Sequence, residues 1–226
     1  MSNVIYSRYC IIFDMDGVLA DTGPIHFESW VNLGRKLGIE FTKEFFEQTF
    51  GQQSPTITRK LVGPEVDEDL IEEWANIKEK NYRELVRDKL KPLPGVIEIL
   101  TDLTSKGFKL AIGSSGPPEN IDLLLTHLKI KDYFDDIITA VEVKKGKPEP
   151  DVFLIAAQNL KINPKNCIVV EDGPVGLEAA KRAGMMTIAL TTTHKKEELL
   201  GAQLIINDLT EITSTDILNL FKLRNQ

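Results

Sequence analysis

The sequence FDMDGVLADT at residues 13–22 directly follows the apolar run CII at residues 10–12, which predicts a buried strand ending in two acidic residues. Asp14 and Asp16 lie two positions apart, so in extended geometry their side chains share one face. Two anions this close need a cation or a proton between them. Gly17 allows a sharp turn and a close approach to a ligand. The stretch therefore predicts a carboxylate nucleophile, a second carboxyl group for proton transfer and a divalent metal ion.

Composition is typical of an ordinary enzyme. The chain has 226 residues, of which 42% are hydrophobic, enough for one large core domain and a smaller second domain. A net charge of -7 argues against binding to nucleic acid or to an anionic membrane surface. No segment is apolar enough for a signal peptide or a membrane span, and Cys10 and Cys167 lie in apolar runs as free thiols. We expect a monomer in the cytoplasm.

Strand-like and helix-like segments alternate from about Gly95 onward, which predicts a doubly wound α/β fold with a parallel sheet. The strands tend to end at small or acidic residues. Gly107 and Gly184 fit the ends of two helices. The predicted strands are Cys10–Phe13, Lys109–Gly113, Asp136–Thr139, Cys167–Val170, Thr187–Leu190 and Leu204–Ile206, and the predicted helices are Val96–Lys106, Asn120–Leu128, Asp151–Asn159, Val175–Arg182 and Asp216–Leu223.

Between Thr22 and Lys91 no strand-like run occurs, and the segment predicts a second, smaller, all-helical domain inserted after the first strand. The Pro- and Gly-rich stretch KPLPG at residues 91–95 marks the return to the sheet. We therefore expect a core domain of residues 1–21 and 92–226 with a cap domain of residues 22–91. The predicted cap helices are Pro24–Leu37, Lys43–Phe50, Thr56–Leu61 and Asp67–Arg87.

Three more polar groups follow predicted strands, at the sheet edge where open α/β folds bind ligands. Ser114 and Ser115 begin a turn whose hydroxyl and amide groups can hold phosphate oxygens, although such a turn alone is more often structural. Lys147 lies in a basic loop, and such a lysine alone is more often only solvated. A phosphate that faces several carboxylates, however, requires a fixed positive charge, which Lys147 can supply. Glu171 and Asp172 form a second acidic pair, and Asp172 also fits a helix N-cap. Oxygen ligands of this kind favour Mg²⁺.

The motifs Asp14-Met15-Asp16-Gly17-Val18, Ser114, Lys147 and Glu171-Asp172, in this order, resemble the haloacid dehalogenase superfamily across essentially the whole chain. The segments HFESW at residues 26–30 and GKPEPDVF at residues 146–153 are similar to its β-phosphoglucomutase and sugar-phosphatase branch. The resemblance implies a Rossmann-like core, a helical cap and an aspartyl phosphate on Asp14. It also implies that Asp16 is the acid and base, that Ser114 and Lys147 hold phosphate, and that the Asp14 carboxylate, the Asp16 carbonyl and Asp172 bind Mg²⁺ beside Glu171.

Cap residues are less well defined by the sequence. His26 and Trp30 are spaced to share one helix face, which either lines the cleft or packs in the cap core. The resemblance gives His26 a supporting role near the acid/base carboxyl and makes Lys78 similar to a substrate-contacting lysine. In the mutases an arginine grips the distal phosphate at the position of Ser54, beside Gln53, which weakens the mutase alternative unless Arg59 compensates. His127 and His194 are expected at the surface.

The sequence thus predicts a Mg²⁺-dependent phosphatase that acts on a small phosphorylated metabolite, a sugar or polyol phosphate. A β-phosphoglucomutase-like mutase is the alternative, because it uses the same aspartyl phosphate. A phosphoacceptor regulatory module is a third interpretation, against which the helical insertion argues, since a signalling module has no use for a cap over its site.

Overall fold

The computed structural model describes residues 6–86 and 90–224. Strands β1, β2 and β6 have the predicted bounds, and β3, β4 and β5 differ by one residue. The strands are β1 Cys10–Phe13, β2 Lys109–Gly113, β3 Asp136–Ile138, β4 Cys167–Glu171, β5 Met186–Leu190 and β6 Leu204–Ile206.

The helices also match the prediction, with most differences at their first turns. The last residue of the fourth predicted cap helix, Arg87, lies outside the described residues. The helices are α1 Gly23–Leu37, α2 Lys43–Thr49, α3 Ser54–Val62, α4 Glu68–Val86, α5 Val96–Ser105, α6 Pro118–Leu128, α7 Asp151–Asn159, α8 Pro174–Arg182 and α9 Ser214–Arg224.

All six strands form one parallel sheet in the order β3-β2-β1-β4-β5-β6. From β1 the chain first builds the β2 and β3 side and then crosses to β4, so the strand order reverses around β1. Ligands of open α/β sheets bind in the crevice at such a reversal. The predicted doubly wound fold is confirmed, and its carboxyl edge places the end of β1 at the expected binding position.

The sheet is buried on both faces. Ile11 and Phe13 pack in one apolar cluster, whereas Cys10 and Ile12 pack in another on the opposite face. This alternation follows from the two-residue period of a strand and explains why β1 is apolar throughout. The strand that carries Asp14 is therefore fixed from both sides.

Helices α1–α4, called the helical unit below, have their own apolar cluster. Trp30 and Leu33 of α1 pack with Phe41 and with Ile57 of α3. The Trp30 and Phe41 rings stack with centroids 5.3 Å apart. Gly38 ends α1 with a left-handed backbone, φ 69°, which glycine adopts readily.

The chain enters and leaves the helical unit side by side. Ala20 forms an antiparallel bridge with Pro92, and the amide of Leu93 donates to the carbonyl of Leu19 at 3.1 Å. The predicted Pro- and Gly-rich return segment thus meets the exit of the Asp14 loop, which places the helical unit over the carboxyl edge of the sheet.

Candidate active site

Asp14, at the end of β1, shares a buried ion pair with Lys147. The ammonium Nζ of Lys147 lies 2.6 Å from Asp14 Oδ1 and 2.8 Å from Glu171 Oε1. Burial would lower the pKa of Lys147, but the two carboxylates raise it above its ordinary value. Burial raises the pKa of Asp14 to about 7, an effect that Lys147 opposes and the carboxylates of Glu171 and Asp16 reinforce. Lys147 is therefore a fixed cation facing the Asp14 carboxylate.

Glu171 ends β4, and both oxygens of its carboxylate accept hydrogen bonds. Its Oε1 accepts from Lys147, and its Oε2 accepts from the amides of Asp172 and Gly173 at 2.8 and 2.9 Å. A Cβ atom on Gly176 would lie 1.7 Å from Glu171 Oε1, so only glycine fits at that position of α8. These contacts fix the carboxylate beside the loop that carries Asp172.

Asp172 approaches the Asp14 loop closely. Gly17 has φ 77°, and a Cβ atom there would lie 2.0 Å from Asp172 Oδ2. The same oxygen accepts a hydrogen bond from the Thr193 hydroxyl. Burial raises the pKa of Asp172 well above its ordinary value, and the neighbouring Glu171 and Asp14 add to this rise. Gly17 is thus required both by its backbone conformation and by the width of the gap.

The carboxylates of Asp14, Glu171 and Asp172 fit a divalent metal ion. Each is buried and offers one oxygen, and these oxygens all lie within 4.8 Å of one another. Burial is the main cause of the raised pKa values of Asp14 and Asp172, and the neighbouring carboxylates, which Lys147 compensates only in part, add to the rise. An all-oxygen set of this kind suits Mg²⁺. The sequence prediction of an acidic cluster at this edge agrees with the structure.

Asp16 faces the helical unit. Its Oδ1 accepts from the Thr22 hydroxyl at 2.5 Å and lies 3.2 Å from His26 Nε2. The Lys78 ammonium, which can only donate, lies 2.7 Å from His26 Nδ1, so the ring proton lies on Nε2 and faces Asp16. Burial would raise the pKa of Asp16, but His26 and Thr22 lower it below the ordinary value. Asp14 and Asp16 therefore have pKa values displaced in opposite directions.

His26 is both buried and part of the site, so the two alternatives left by the sequence are not exclusive. Its ring stacks on Tyr82 with centroids 3.9 Å apart, and Trp30 lies beside it in the cavity wall. Lys78 Nζ lies 5.1 Å from the centre of the Trp30 ring. Packing fixes the imidazole while its nitrogens connect Lys78 to Asp16.

The serines after β2 lie at the same edge. The Ser114 hydroxyl accepts from the amide of Gly116 at 3.1 Å, and Ser115 lines the cavity above Asp14. Gln53 donates from Nε2 to the carbonyl of Ala140 at 3.3 Å, which joins the helical unit to the loop after β3. The structure thus brings every predicted site residue to the carboxyl edge of the sheet or to the helical unit above it.

Glu79 is a buried site residue that the sequence analysis did not identify. Its Oε1 accepts from Ser54 and, at 3.0 Å, from Lys78, and its Oε2 accepts from Asn120 Nδ2 at 2.6 Å. Burial would raise the pKa of Glu79, but Lys78 lowers it below the ordinary value. Arg83 supports Asn120 from the far side at 2.8 Å. An acidic residue next to Lys78 on an apolar helix face was the available signal.

The structure also gives the positions of Arg59, His127 and His194. Arg59 binds Glu68 and the carbonyls of the turn after α3. It is absent from the described residues that line the two cavities between the sheet edge and the helical unit, so it does not replace the missing arginine at Ser54. His127 is exposed as predicted, whereas His194 is half-buried at the surface and contacts the site. Its Nδ1 lies 3.1 Å from the carbonyl of Asp172, because the loop after β5 folds over the acidic pair.

Two adjoining cavities lie between the sheet edge and the helical unit. The inner pocket, above Asp14 and Asp16, holds about 40 Å³ and includes His26 and Lys78 in its wall. The outer cleft holds about 260 Å³ and lies toward the loop after β3. Ser54, Glu79 and Ser115 line both and form the wall between them.

Across residues 6–86 and 90–224, no helix has the length and apolar character to span a membrane.

Comparisons with known proteins agree with this geometry. A family model described as haloacid dehalogenase-like hydrolase matches residues 11–190. A β-phosphoglucomutase of Bacillus subtilis is 32% identical over 211 residues, covering 90% of this chain and 91% of the relative. A phosphorylated carbohydrates phosphatase of Thermotoga maritima is 33% identical over 178 residues, covering 79% and 82%.

The solved structures give the same result for the fold. A β-phosphoglucomutase from Clostridium difficile superposes with a TM-score of 0.87 at 29% identity, covering 95% of this chain and 97% of that chain. The sheet and the helices above it are therefore a shared architecture. This protein is an enzyme, and it belongs to the haloacid dehalogenase-like hydrolase family.

Proposed function

We propose that this enzyme is a phosphatase that hydrolyses a small phosphate monoester of a sugar or polyol through an aspartyl phosphate on Asp14. The observation that carries the proposal is the pair of carboxyl groups at the end of β1, one held against a buried ammonium and the other against an imidazole and a hydroxyl. Such pairs, with pKa values displaced in opposite directions, divide nucleophilic and proton-transfer roles. The phosphatase among the relatives supports the substrate class.

In the first step an Asp14 carboxylate oxygen attacks phosphorus, the bond from phosphorus to the ester oxygen breaks, and the leaving alcohol takes a proton from Asp16. In the second step Asp16 takes a proton from water, whose oxygen attacks phosphorus, and the bond to Asp14 breaks to release phosphate. The lowered pKa of Asp16 favours the base form needed in this second step, and the proton that Asp16 takes from water is the one it gives to the leaving alcohol of the next turnover. His26 and Thr22 orient Asp16, and Lys147, with Ser114 and Ser115, holds the phosphoryl oxygens.

We propose Mg²⁺ as the cofactor. Asp14, Asp172 and the backbone carbonyl of Asp16 would hold it, with Glu171 beside them holding Lys147 and the loop amides in place. When bound, the ion would neutralise charge that develops on the transferred phosphoryl group. Thr193 orients Asp172 for this role.

We further propose the division into a core of residues 1–21 and 92–226 and a cap of residues 22–91, which includes Gln53, Ser54 and Lys78 as substrate-facing residues. Residues 1–5, 87–89 and 225–226 of these ranges lie outside the described part of the chain. The separate apolar cluster around Trp30 supports the division.

We also propose that the enzyme is a monomer that acts on a small phosphorylated metabolite in the cytoplasm. The buried free thiols of Cys10 and Cys167 are in keeping with such a reducing compartment.

The test is release of inorganic phosphate from hexose phosphates, polyol phosphates, glycerol phosphates, phosphoglycolate and β-glucose 1-phosphate, with Mg²⁺ and with EDTA. We expect fast release from one class of monoester, dependent on Mg²⁺ and lost in Asp14→Asn. Conversion of β-glucose 1-phosphate to glucose 6-phosphate without phosphate release would show the mutase activity of some relatives instead. Equal release in the Asp14→Asn variant would contradict the assigned nucleophile.

A further inference from the structure

Glu79 occupies an unusual position for an enzyme that handles anionic substrates. Its carboxylate is buried and lies in the wall shared by the inner pocket and the outer cleft. Three donors contact it, from Ser54, Lys78 and Asn120, whereas a carboxylate accepts about four hydrogen bonds. The lowered pKa of Glu79 keeps it ionised at neutral pH. A fixed anion with remaining acceptor capacity therefore faces the space beyond the reacting phosphate.

Cations are scarce in that space. Among the described residues that line the inner pocket, Lys78 is the only lysine or arginine, and its ammonium is already engaged by Glu79 and His26. The described lining of the outer cleft contains no lysine or arginine, but it contains Glu72 as well as Glu79. Its other polar groups are hydroxyls and amides, including Ser54 and Asn76. The far end of the site is thus negative and rich in hydrogen-bonding groups.

We infer that Glu79 determines substrate specificity: its carboxylate accepts hydrogen bonds from hydroxyl groups at the unphosphorylated end of a monophosphorylated sugar or polyol and repels a second phosphate. The inference rests on the proposed phosphatase function and narrows its substrate class. A second phosphate here would face the Glu79 carboxylate, while the ammonium of Lys78 is already engaged by Glu79 and His26, and like charges brought together in a desolvated site are strongly unfavourable. Hydroxyl groups of the substrate at the same place would instead donate hydrogen bonds to the Glu79 carboxylate.

Size supports the same conclusion. The inner pocket, at about 40 Å³, has little room beyond the phosphoryl group, so the alcohol part of a substrate must extend past Ser54 and Glu79 toward the outer cleft of about 260 Å³. Every substrate therefore passes the Glu79 carboxylate.

The test compares kcat/KM for a ketohexose 1-phosphate with that for the corresponding 1,6-bisphosphate in the wild type, in Glu79→Gln and in the control Glu73→Gln. Glu73 is exposed on the same helix, so the control has the same change in charge. We expect the wild type and the control to prefer the monophosphate, and Glu79→Gln to reduce that preference by about tenfold or more, since it keeps the shape but removes the charge. An unchanged preference in folded Glu79→Gln would overturn the inference.

If Glu79→Gln does not fold, as judged by circular dichroism, Ser54→Arg is the second variant, because it places a cation beside Glu79 and so compensates the charge to which we assign the repulsion. We expect it to raise kcat/KM for the bisphosphate relative to the monophosphate, and no change would again overturn the inference. The proposed function fails separately if the wild type releases phosphate from none of the monoesters named above. Calorimetric binding of the two esters to the wild type and the variants then tests the selectivity of Glu79 by itself.

Discussion

Replacing Lys147 by glutamine removes the ammonium that bridges Asp14 and Glu171. Breaking a buried ion pair by removing one partner costs about 3–5 kcal/mol, because a charge is left buried without compensation. Here Asp14, whose pKa is already raised to about 7, can take up a proton and relieve part of that cost. We therefore expect Lys147→Gln to lower the free energy of unfolding in metal-free buffer at neutral pH by about 3 kcal/mol, at the low end of that range.

We also expect Lys147→Gln to lower kcat, even at a temperature where the variant is folded. Lys147 is the buried cation that we assign to the phosphoryl oxygens, and loss of one such preorganised group costs about 100- to 1,000-fold in kcat. The assays are urea unfolding followed by circular dichroism, and phosphate release with Mg²⁺ at a temperature where the variant is folded. The control is Lys145→Gln, an exposed lysine of the same loop, which should behave as wild type. Equal stability and equal activity of the two variants would contradict the roles assigned to Lys147.

Three more predictions follow from contacts outside this ion pair. His26→Gln should lower kcat by about 10- to 100-fold with little change in KM, because it interrupts the support of the acid/base carboxyl; the exposed His127→Gln is the control, and equal kcat values would contradict the assignment. Gly176→Ala should destabilise the fold by about 1–3 kcal/mol, since its Cβ atom meets the glutamate that ends β4, whereas Gly201→Ala, with open space around it, should not, as thermal unfolding will show. The slight burial of Asp102 raises its pKa, but hydrogen bonds from Ser214 of α9 and from Lys106 lower it below 3.8 overall, so the stabilisation by Asp102 is present above about pH 4 and is lost on further acidification. In Asp102→Asn the acid limb of a curve of stability against pH should therefore flatten. An unchanged curve would contradict the stabilising contact between Asp102 and α9.

The sheet was predictable because its strands carry a strong local signal. The run CIIF is buried on both faces, and the acidic residues that follow it have no place inside a sheet, so the end of β1 is unambiguous. Helix starts were less well predicted. Helix α3 begins at Ser54 rather than Thr56, because Pro55 fits the first turn of a helix, and α9 begins at Ser214 rather than Asp216.

The site was predictable where it coincides with strand ends, as at Asp14, Lys147 and Asp172, since parallel strands bring their carboxyl ends together. It was not predictable where a long-range contact decides the role. Glu79 meets Asn120 from 41 positions away, and no periodicity encodes that pairing. The turn that engages Arg59 is equally invisible in the sequence, although it decides that this cation points away from the cavities.

The bridge between Ala20 and Pro92 has a mechanical consequence. Because both chain crossings are hydrogen-bonded at one place, the helical unit is attached along one edge and can open by rotation about that edge. Groups near this hinge move least, and His26 lies only six residues beyond Ala20, so its support of Asp16 persists as the site opens. Groups at the far rim would move most in such a rotation, which would break the contact of Gln53 with Ala140. The support of Asp16 would thus be kept, whereas the cavity walls that the sheet edge and the helical unit form together would separate.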